Sequence, residues 1–107
     1  MASVREIKEG RQEQGTEEEI TYTITIPATW GTPTGTPTVT AFSFDGAGYT
    51  DVTSTVIPTG SASIASQVIT LPEIKLLTAE VTYRIEVKFD TSEGDVKEAY
   101  AWIDCKR

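Results

Sequence analysis

The sequence contains no histidine and no asparagine, and it has a single cysteine, Cys105. Without histidine, the commonest general base and metal ligand of proteins is missing. One cysteine cannot form an internal disulfide, so we expect packing alone to stabilise the chain, and synthesis in a reducing cytoplasm. No apolar run approaches transmembrane length, and the first residues are too charged for a signal peptide. These absences argue against an enzyme and against a membrane protein.

Basic residues are also scarce. The 107 residues include 16 acidic and 9 basic side chains, which gives a formal net charge of −7. This charge repels phosphate backbones and anionic lipid surfaces, so we expect neither a nucleic acid nor a membrane as partner. A length of 107 residues is typical of one compact domain.

The composition changes near residue 19. Residues 1–18 mix acidic and basic side chains, are interrupted by glycines and contain few apolar residues, chiefly Val4 and Ile7. A segment with so little to bury is expected to form an extended or mobile arm that becomes ordered against a partner. We therefore predict an N-terminal arm over residues 1–18 and a single domain over residues 19–107.

Residues 19–107 show the period-two alternation of half-buried strands, with proline and glycine turn signals between the runs. The predicted strands cover residues 20–26, 38–44, 52–57, 67–71, 81–89 and 96–106, with a weaker pattern over 61–66. A helical turn is expected over 73–78. The last two strands form a hairpin that must lay one face on a second sheet. About seven short strands predict an all-β, immunoglobulin-like antiparallel β-sandwich.

The last strand carries large and small side chains on opposite faces. Tyr100 and Trp102 alternate with Ala101 and Ile103. If the aromatic pair faces outward, it offers the amphipathic anchors that dominate protein interfaces. We favour the other arrangement, with Trp102 in the core and Ala101 outside, because a sandwich core needs a large residue on its last strand.

The sequence shows no catalytic constellation. Glu86 and Glu98 on the final hairpin have basic neighbours, which predicts surface ion pairs rather than the carboxylate pair of a glycosidase. Asp45 and Asp51 flank a glycine-rich turn, but two carboxylates are too few for a calcium site. Cys105 has no histidine partner and is expected to be a small buried side chain. We predict no catalytic residue, metal ion, cofactor or small-molecule substrate.

The order of these features resembles a known family. The charged arm leads into Glu19-Ile20-x-Tyr22-x-Ile24-x-Ile26 and then Trp30, and residues 83–98 read Y-R-x-x-V-x-F-x-T-x-x-G-x-x-x-E. This pattern resembles the small Ig-like accessory proteins of tailed bacteriophage virions, among them head decoration proteins and tail or fibre adaptors. The resemblance implies a virion location, assembly on a capsid or neck, and an arm draped over a neighbouring subunit.

Two functions remain open. The first is a virion structural protein that binds capsid, neck or tail subunits as a decoration or adaptor subunit, itself a homo-oligomer. The second is a carbohydrate- or cell-surface-binding Ig-like module of an adhesin or phage appendage, with Trp30, Tyr49 and Tyr100 stacked on sugar rings and calcium held by the 45–51 loop. The residues predicted to bind the partner are Val4, Ile7, Trp30, Tyr49, Tyr100 and Trp102.

Overall fold

The computed structural model describes residues 12–44 and 48–105, together with the backbone of residues 4–6. In that part of the chain, helix α1 spans Thr53–Val56 and a 3-10 turn spans Ala28–Trp30. The strands are β1 Val4–Glu6, β2 Gln12–Gln14, β3 Thr23–Thr25, β4 Pro33–Phe44, β5 Tyr49–Asp51, β6 Ser63–Ala65, β7 Val68–Thr70, β8 Thr82–Thr91 and β9 Val96–Cys105. Within these described ranges, no helix has the length and apolarity needed to cross a membrane.

The strands form two sheets. The larger sheet has the order β1-β9-β8-β4-β5, with β2 also paired to β9, and the smaller sheet has the order β3-β7-β6. Neighbouring strands are antiparallel, except that β1 and β2 run parallel to β9. Two facing sheets of mainly antiparallel strands around one core are the arrangement of immunoglobulin-like sandwiches. The predicted immunoglobulin-like sandwich is confirmed.

A corner tyrosine gives independent support for this fold. Tyr83 is buried at the start of β8, and its hydroxyl accepts a 2.7 Å hydrogen bond from the backbone N–H of Thr78. A tyrosine that bonds back to the backbone at this corner is a hallmark of the immunoglobulin sandwich. Two residues later, where antibody domains place a disulfide cysteine, this chain has the fully buried Ile85. Apolar packing therefore takes the place of the disulfide.

The core lies between the sheets and is drawn from alternating positions of the long hairpin, as predicted. Strand β8 buries Tyr83, Ile85, Val87 and Phe89, and strand β9 buries Ala99, Ala101, Ile103 and Cys105. The smaller sheet and its flanking segments bury Ile24, Ile26, Ile69, Leu71 and Ile74. Each fully buried aliphatic side chain of this size contributes about 2 kcal/mol by leaving water.

The predicted strand over 52–57 is wrong, because Thr53–Val56 form helix α1. The Asp51 carboxylate accepts hydrogen bonds from the Thr53 backbone N–H at 2.9 Å and from its hydroxyl at 2.7 Å. An aspartate that bonds two residues ahead turns the chain and competes with strand pairing. The apolar residue that suggested a strand, Val56, is buried from this helix instead.

The predicted helical turn over 73–78 is also wrong. Ile74 pairs with Ile20 through two backbone hydrogen bonds of 3.1 and 2.9 Å. Leu76 has a φ of +62°, which a right-handed helix does not allow. This segment therefore runs along the edge of the smaller sheet instead of crossing the end of the domain.

Strand β4 begins at Pro33, earlier than the sequence predicts. Its pairing with β8 shifts register between Thr34 and Thr38, where Gly35 has a φ of +74°. A glycine in this conformation accommodates an irregularity inside a strand. Strand β5 pairs only with residues 42–44 of β4. The prolines therefore lie where β4 has a paired neighbour on one side only, which is where a strand tolerates them.

The N-terminal segment contributes strands that the sequence did not predict. In β2, Gln14 is only 1% exposed. Its side-chain amide donates to the carbonyl of Ile74 at 2.7 Å and to that of Glu18 at 2.9 Å, and the Tyr22 hydroxyl donates to Gln14 Oε1 at 2.9 Å. These contacts join residues on both sides of the predicted division at residue 19, which itself stays a prediction.

Candidate interaction surface

The outer face of the larger sheet gathers aromatic rings around one arginine. Strand register places Arg84 of β8 between Phe42 of β4 and Trp102 of β9. One row further along, Phe44 of β4 pairs with Tyr49 of β5. Tyr100 lies two residues before Trp102 on the same face of β9. We refer to this set as the aromatic face: Phe42, Phe44, Tyr49, Arg84, Tyr100 and Trp102.

The rings of the aromatic face pack against one another. The centroids of Tyr100 and Trp102 are 6.1 Å apart at an interplanar angle of 84°. Phe44 and Tyr49 are 5.0 Å apart at 36°, and Phe42 and Tyr49 are 6.3 Å apart at 75°. These separations and angles lie in the favourable range for aromatic pairs. Phe44 and Tyr49 nevertheless remain 39% and 50% exposed.

Arg84 lies over three of these rings. Its Cζ is 4.3 Å from the Tyr100 centroid, 5.7 Å from that of Trp102 and 6.0 Å from that of Tyr49. A guanidinium at these distances is attracted by the electron-rich ring face. The rings therefore restrict the side chain to one region of the sheet surface.

The charge of Arg84 is only partly paired. Its Nε lies 3.0 Å from Oε2 of Glu86, two residues along the same strand. The geometry makes this an ion pair but not a directed hydrogen bond, so the solvent-shielded Nε has no hydrogen-bond partner among the described residues. The Arg84 side chain still keeps 22% of its surface exposed. The rings and the Glu86 carboxylate thus position the guanidinium, and its Nε–H donor is still available for a hydrogen bond.

The structure brings together three of the predicted partner-binding residues, Tyr49, Tyr100 and Trp102. Trp30 lies apart from them, in the 3-10 turn that precedes the Pro33 end of β4. Tyr49 pairs with Phe44 at the opposite end of that strand, and an extended strand of this length spans roughly 30 Å. Trp30 also packs partly against the core. The side chain of Val4 and the whole of Ile7 lie outside the described residues.

The favoured placement of Trp102 in the core is wrong. Ala99, Ala101 and Ile103 point inward, and Trp102 lies half-buried on the outer face. The register explains the choice, because Ala101 lies opposite Ile85 and Ile103 opposite Tyr83. Strand β8 already supplies the larger core residues Ile85 and Val87, and β9 places the small Ala101 and Ala99 opposite them.

Three members of the aromatic face, Phe42, Phe44 and Arg84, were not among the residues predicted to bind a partner. The signal was available for Arg84, which alternates with the apolar Tyr83 and Ile85 and must therefore point away from the core. Its aromatic neighbours come from three other strands, and only the pairing register brings them together.

The other described parts of the molecule are weaker candidates for a functional site than the aromatic face. Over the described ranges, no three metal-binding side chains cluster. The Thr53 backbone N–H, and then its hydroxyl, lower the pKa of Asp51 by hydrogen bonding to the carboxylate, while Asp45 lies outside the described residues. A cavity of about 250 Å³ opens between the sheets, lined by uncharged side chains that include Ile24 and Leu71. Burial, with a contribution from nearby Glu80, raises the pKa of the Cys105 thiol.

Known proteins resemble this chain in structure and not in sequence. No protein-family model and no curated protein matches the chain. Among solved structures, the chain is similar to murine CRIg, with 9% sequence identity, coverage of 91% of this chain and 92% of that chain, and a TM-score of 0.46. At this identity and TM-score, the likeness carries no argument about function.

Proposed function

We propose that this chain is a non-enzymatic protein-binding module that docks through the aromatic face. The supporting observation is the cluster of five aromatic rings around Arg84 on the outer surface of the larger sheet. Tryptophan, tyrosine and arginine are the residue types that dominate the binding energy of protein interfaces. Two of the rings are 39% and 50% exposed, and exposed apolar residues in a contiguous patch are typical of an interaction site.

The backbone beneath the aromatic face also suits docking. The rings and Arg84 come from β9, β8, β4 and β5, which are consecutive hydrogen-bonded strands of one sheet. A binding surface carried by paired strands loses little freedom when a partner docks. The face is therefore a pre-organised platform, and most of its buried area would come from rings already held in place.

The assembly that we propose for this module is the virion of a tailed bacteriophage. In that role the chain would be a decoration or adaptor subunit on capsid, neck or tail proteins, with a homo-oligomer matched to the symmetry of the lattice. This finer proposal rests on the sequence pattern of residues 83–98. That segment covers most of β8 and the start of β9 and contains Arg84, and the two aromatic residues nearest to Arg84 follow it on β9.

Site-specific photo-crosslinking tests the proposed function. A photoreactive phenylalanine derivative replaces Tyr100 in the full chain, which is expressed in its native host and irradiated. The matched control carries the same group in place of Ser63, which is exposed on β6 of the other sheet. We expect position 100 to form a covalent adduct with a defined protein and position 63 to form none.

Each outcome of that experiment decides one level of the proposal. Equal adducts from both positions, or none from position 100, would reject the aromatic face as the docking surface. An adduct with a capsid, neck or tail subunit supports the virion assignment. An adduct with any other protein keeps the binding module and rejects the virion.

A carbohydrate-binding module has less support from the geometry. The aromatic residues predicted for sugar stacking are divided between the two ends of β4, with Trp30 at one end and Tyr49 at the other. The Asp51 carboxylate, predicted to help hold calcium, accepts two hydrogen bonds from Thr53. Calorimetric titration with a panel of glycans, with and without calcium, tests this alternative. A saturable binding heat that disappears in Tyr49→Ser would support it.

A further inference from the structure

We propose that Arg84 anchors a carboxylate of the docked protein, presented by an acidic side chain within an otherwise apolar segment. This inference rests on the proposed function, because it assigns the chemistry of the partner at the aromatic face. Arg84 lies at the centre of that face, with Phe42 on one neighbouring strand and Trp102 on the other. A charged group at the centre of an apolar contact needs a complementary partner once water is excluded.

The unfilled hydrogen bonds of Arg84 define that partner. A guanidinium carries five N–H donors in a planar fork. Among the described residues, the one close charge is Glu86, whose Oε2 is 3.0 Å from Nε without forming a directed hydrogen bond. The donors that remain match the two oxygens of a carboxylate in a bidentate pair. A neutral carbonyl oxygen accepts from these donors more weakly than a carboxylate does, and an ammonium group offers no acceptor.

The aromatic rings strengthen such a pair. With Cζ 4.3 Å from the Tyr100 centroid and 5.7 Å from that of Trp102, the guanidinium is already restricted before the partner arrives. Restriction in advance lowers the ordering cost of binding. The rings also exclude water around the contact, which makes a matched charge pair stronger than it is in bulk solvent.

The remaining charges of the protein limit the kind of anion. The chain carries a net charge of −7, which repels polyanions such as nucleic acid at long range. A single carboxylate flanked by apolar groups avoids most of this repulsion, because its contacts are short-ranged and the surrounding rings are uncharged. The anion that we assign to Arg84 is therefore an acidic side chain of a protein and not a phosphate.

Three small probes of matched shape test the proposal in the full chain: phenylacetate, phenylacetamide and phenethylammonium. Binding is followed by NMR through the indole N–H resonances. Trp102 reports on the aromatic face, and Trp30 at the far end of β4 serves as the internal control. We expect phenylacetate to shift the Trp102 resonance saturably, to leave that of Trp30 unchanged, and to bind about fivefold more tightly than phenylacetamide, because charge-assisted bonds exceed neutral ones.

Three variants assign that preference to the guanidinium. Arg84→Gln should abolish the difference between the acid and the amide. Lys88→Gln removes another cation from the outer face of the same strand, at an exposed position away from the rings, and should leave the difference unchanged. Glu86→Gln keeps Arg84 and removes its competing carboxylate, so phenylacetate should bind about twofold more tightly. This third variant keeps the test decisive if Arg84→Gln fails to fold.

Several results would overturn the proposal. Equal binding of the acid and the amide, or tighter binding of phenethylammonium, would show that the face does not select a carboxylate. A dimer in light scattering that dissociates in Arg84→Gln would make a second copy of this chain the occupant, and would reject a separate acidic partner. Failure here leaves the crosslink from position 100 intact. Loss of that crosslink rejects the proposed function even when phenylacetate binds as expected.

Discussion

The β8–β9 hairpin has two faces with opposite distributions of side-chain size. Its inner face carries Ala99 and Ala101 beside Ile85, all nearly or fully buried. Its outer face carries Tyr100 and Trp102, which are only half-buried beside Arg84. Packing against Ile85 and Val87 accounts for the small residues on the inner face, but a solvent-facing surface does not require large aromatic side chains. The difference teaches that core packing explains which residues point inward, and that it does not explain why the outward positions are aromatic.

The two faces also differ in how they use polar groups. The inner face of β8 contributes apolar rings and chains together with the Tyr83 hydroxyl, which accepts its hydrogen bond from Thr78. On the outer face, the shielded Nε of Arg84 has no hydrogen-bond partner among the described residues. The inner face is thus complete in its hydrogen bonds, whereas the outer face leaves a shielded donor available to the partner that we propose.

The largest contrast between the faces is expected from removing a side chain from each. Ile85→Ala leaves a cavity in the centre of the core and should lower the free energy of unfolding by about 3 kcal/mol. Trp102→Ala removes a larger side chain from the outer face and should cost about 1 kcal/mol, because its ring is only half-buried and part of its contact is with Tyr100. Urea unfolding of both variants checks this order. Equal losses would remove the distinction between the faces.

Adding volume to each face gives a second, smaller contrast. Ala99→Leu inserts three carbon atoms opposite Val87 in the core, at a fully buried position, and should destabilise the protein by about 2 kcal/mol through overpacking. Val96→Leu makes an addition at the exposed start of β9, where the side chain is 47% exposed, and should change stability by less than about 0.5 kcal/mol. Thermal unfolding distinguishes the two. A tolerated leucine at position 99 would mean that the core has room for a larger side chain on β9, and that packing does not hold Trp102 outside.

The sequence predicted those elements in which a single periodic pattern decides the structure. Alternation from Tyr83 to Phe89 and from Ala99 to Cys105 correctly predicted both strands of the hairpin and the buried side of β8, whereas the side of β9 favoured for the core was wrong. Alternation alone does not determine whether the aromatic side of β9 points into the core or outward. That choice depends on Ile85 and Tyr83 across the strand pair, which is information from tertiary packing.

The elements that the sequence did not predict, β2 and α1, depend on polar hydrogen bonds and not on an apolar period. Strand β2 is Gln-Glu-Gln, which has no apolar signal, and it is tied to the domain by the polar contacts of Gln14. Helix α1 follows an aspartate whose local hydrogen bonds to Thr53 override the strand propensity of the valines around it. The aromatic face could be predicted only in part, because Tyr49, Phe42 and Arg84 come from strands that are separated in sequence.

The buried polar group of the N-terminal segment sharpens the contrast between a completed interior and an incomplete outer face. Gln14→Leu keeps a side chain of similar size but removes the donor to Glu18 and the acceptor for Tyr22. It should lower the free energy of unfolding by about 1.5 kcal/mol, because buried polar groups are left unpaired. Glu13→Ala, at the exposed neighbouring position, is the matched control and should change stability by less than about 0.5 kcal/mol. A neutral Gln14→Leu would show that these hydrogen bonds do not hold β2 in place.

The last comparison concerns the titration of Tyr22, the partner of Gln14. Burial, with a contribution from the nearby Glu18 carboxylate, raises the pKa of Tyr22 to about 12 from 10.0. Between these pH values the unfolded chain loses the phenolic proton while the folded protein retains it, so rising pH favours unfolding. The stability that Tyr22 contributes is therefore complete below pH 10 and is lost as the pH rises towards about 12. Urea unfolding at pH 9 to 11.5 should show a steeper decline for the wild-type protein than for Tyr22→Phe, since other titrating groups are common to both. Equal declines in the free energy of unfolding of the two proteins would mean that the Tyr22 hydroxyl is exposed to solvent in the folded state, and that its hydrogen bond to Gln14 is not maintained.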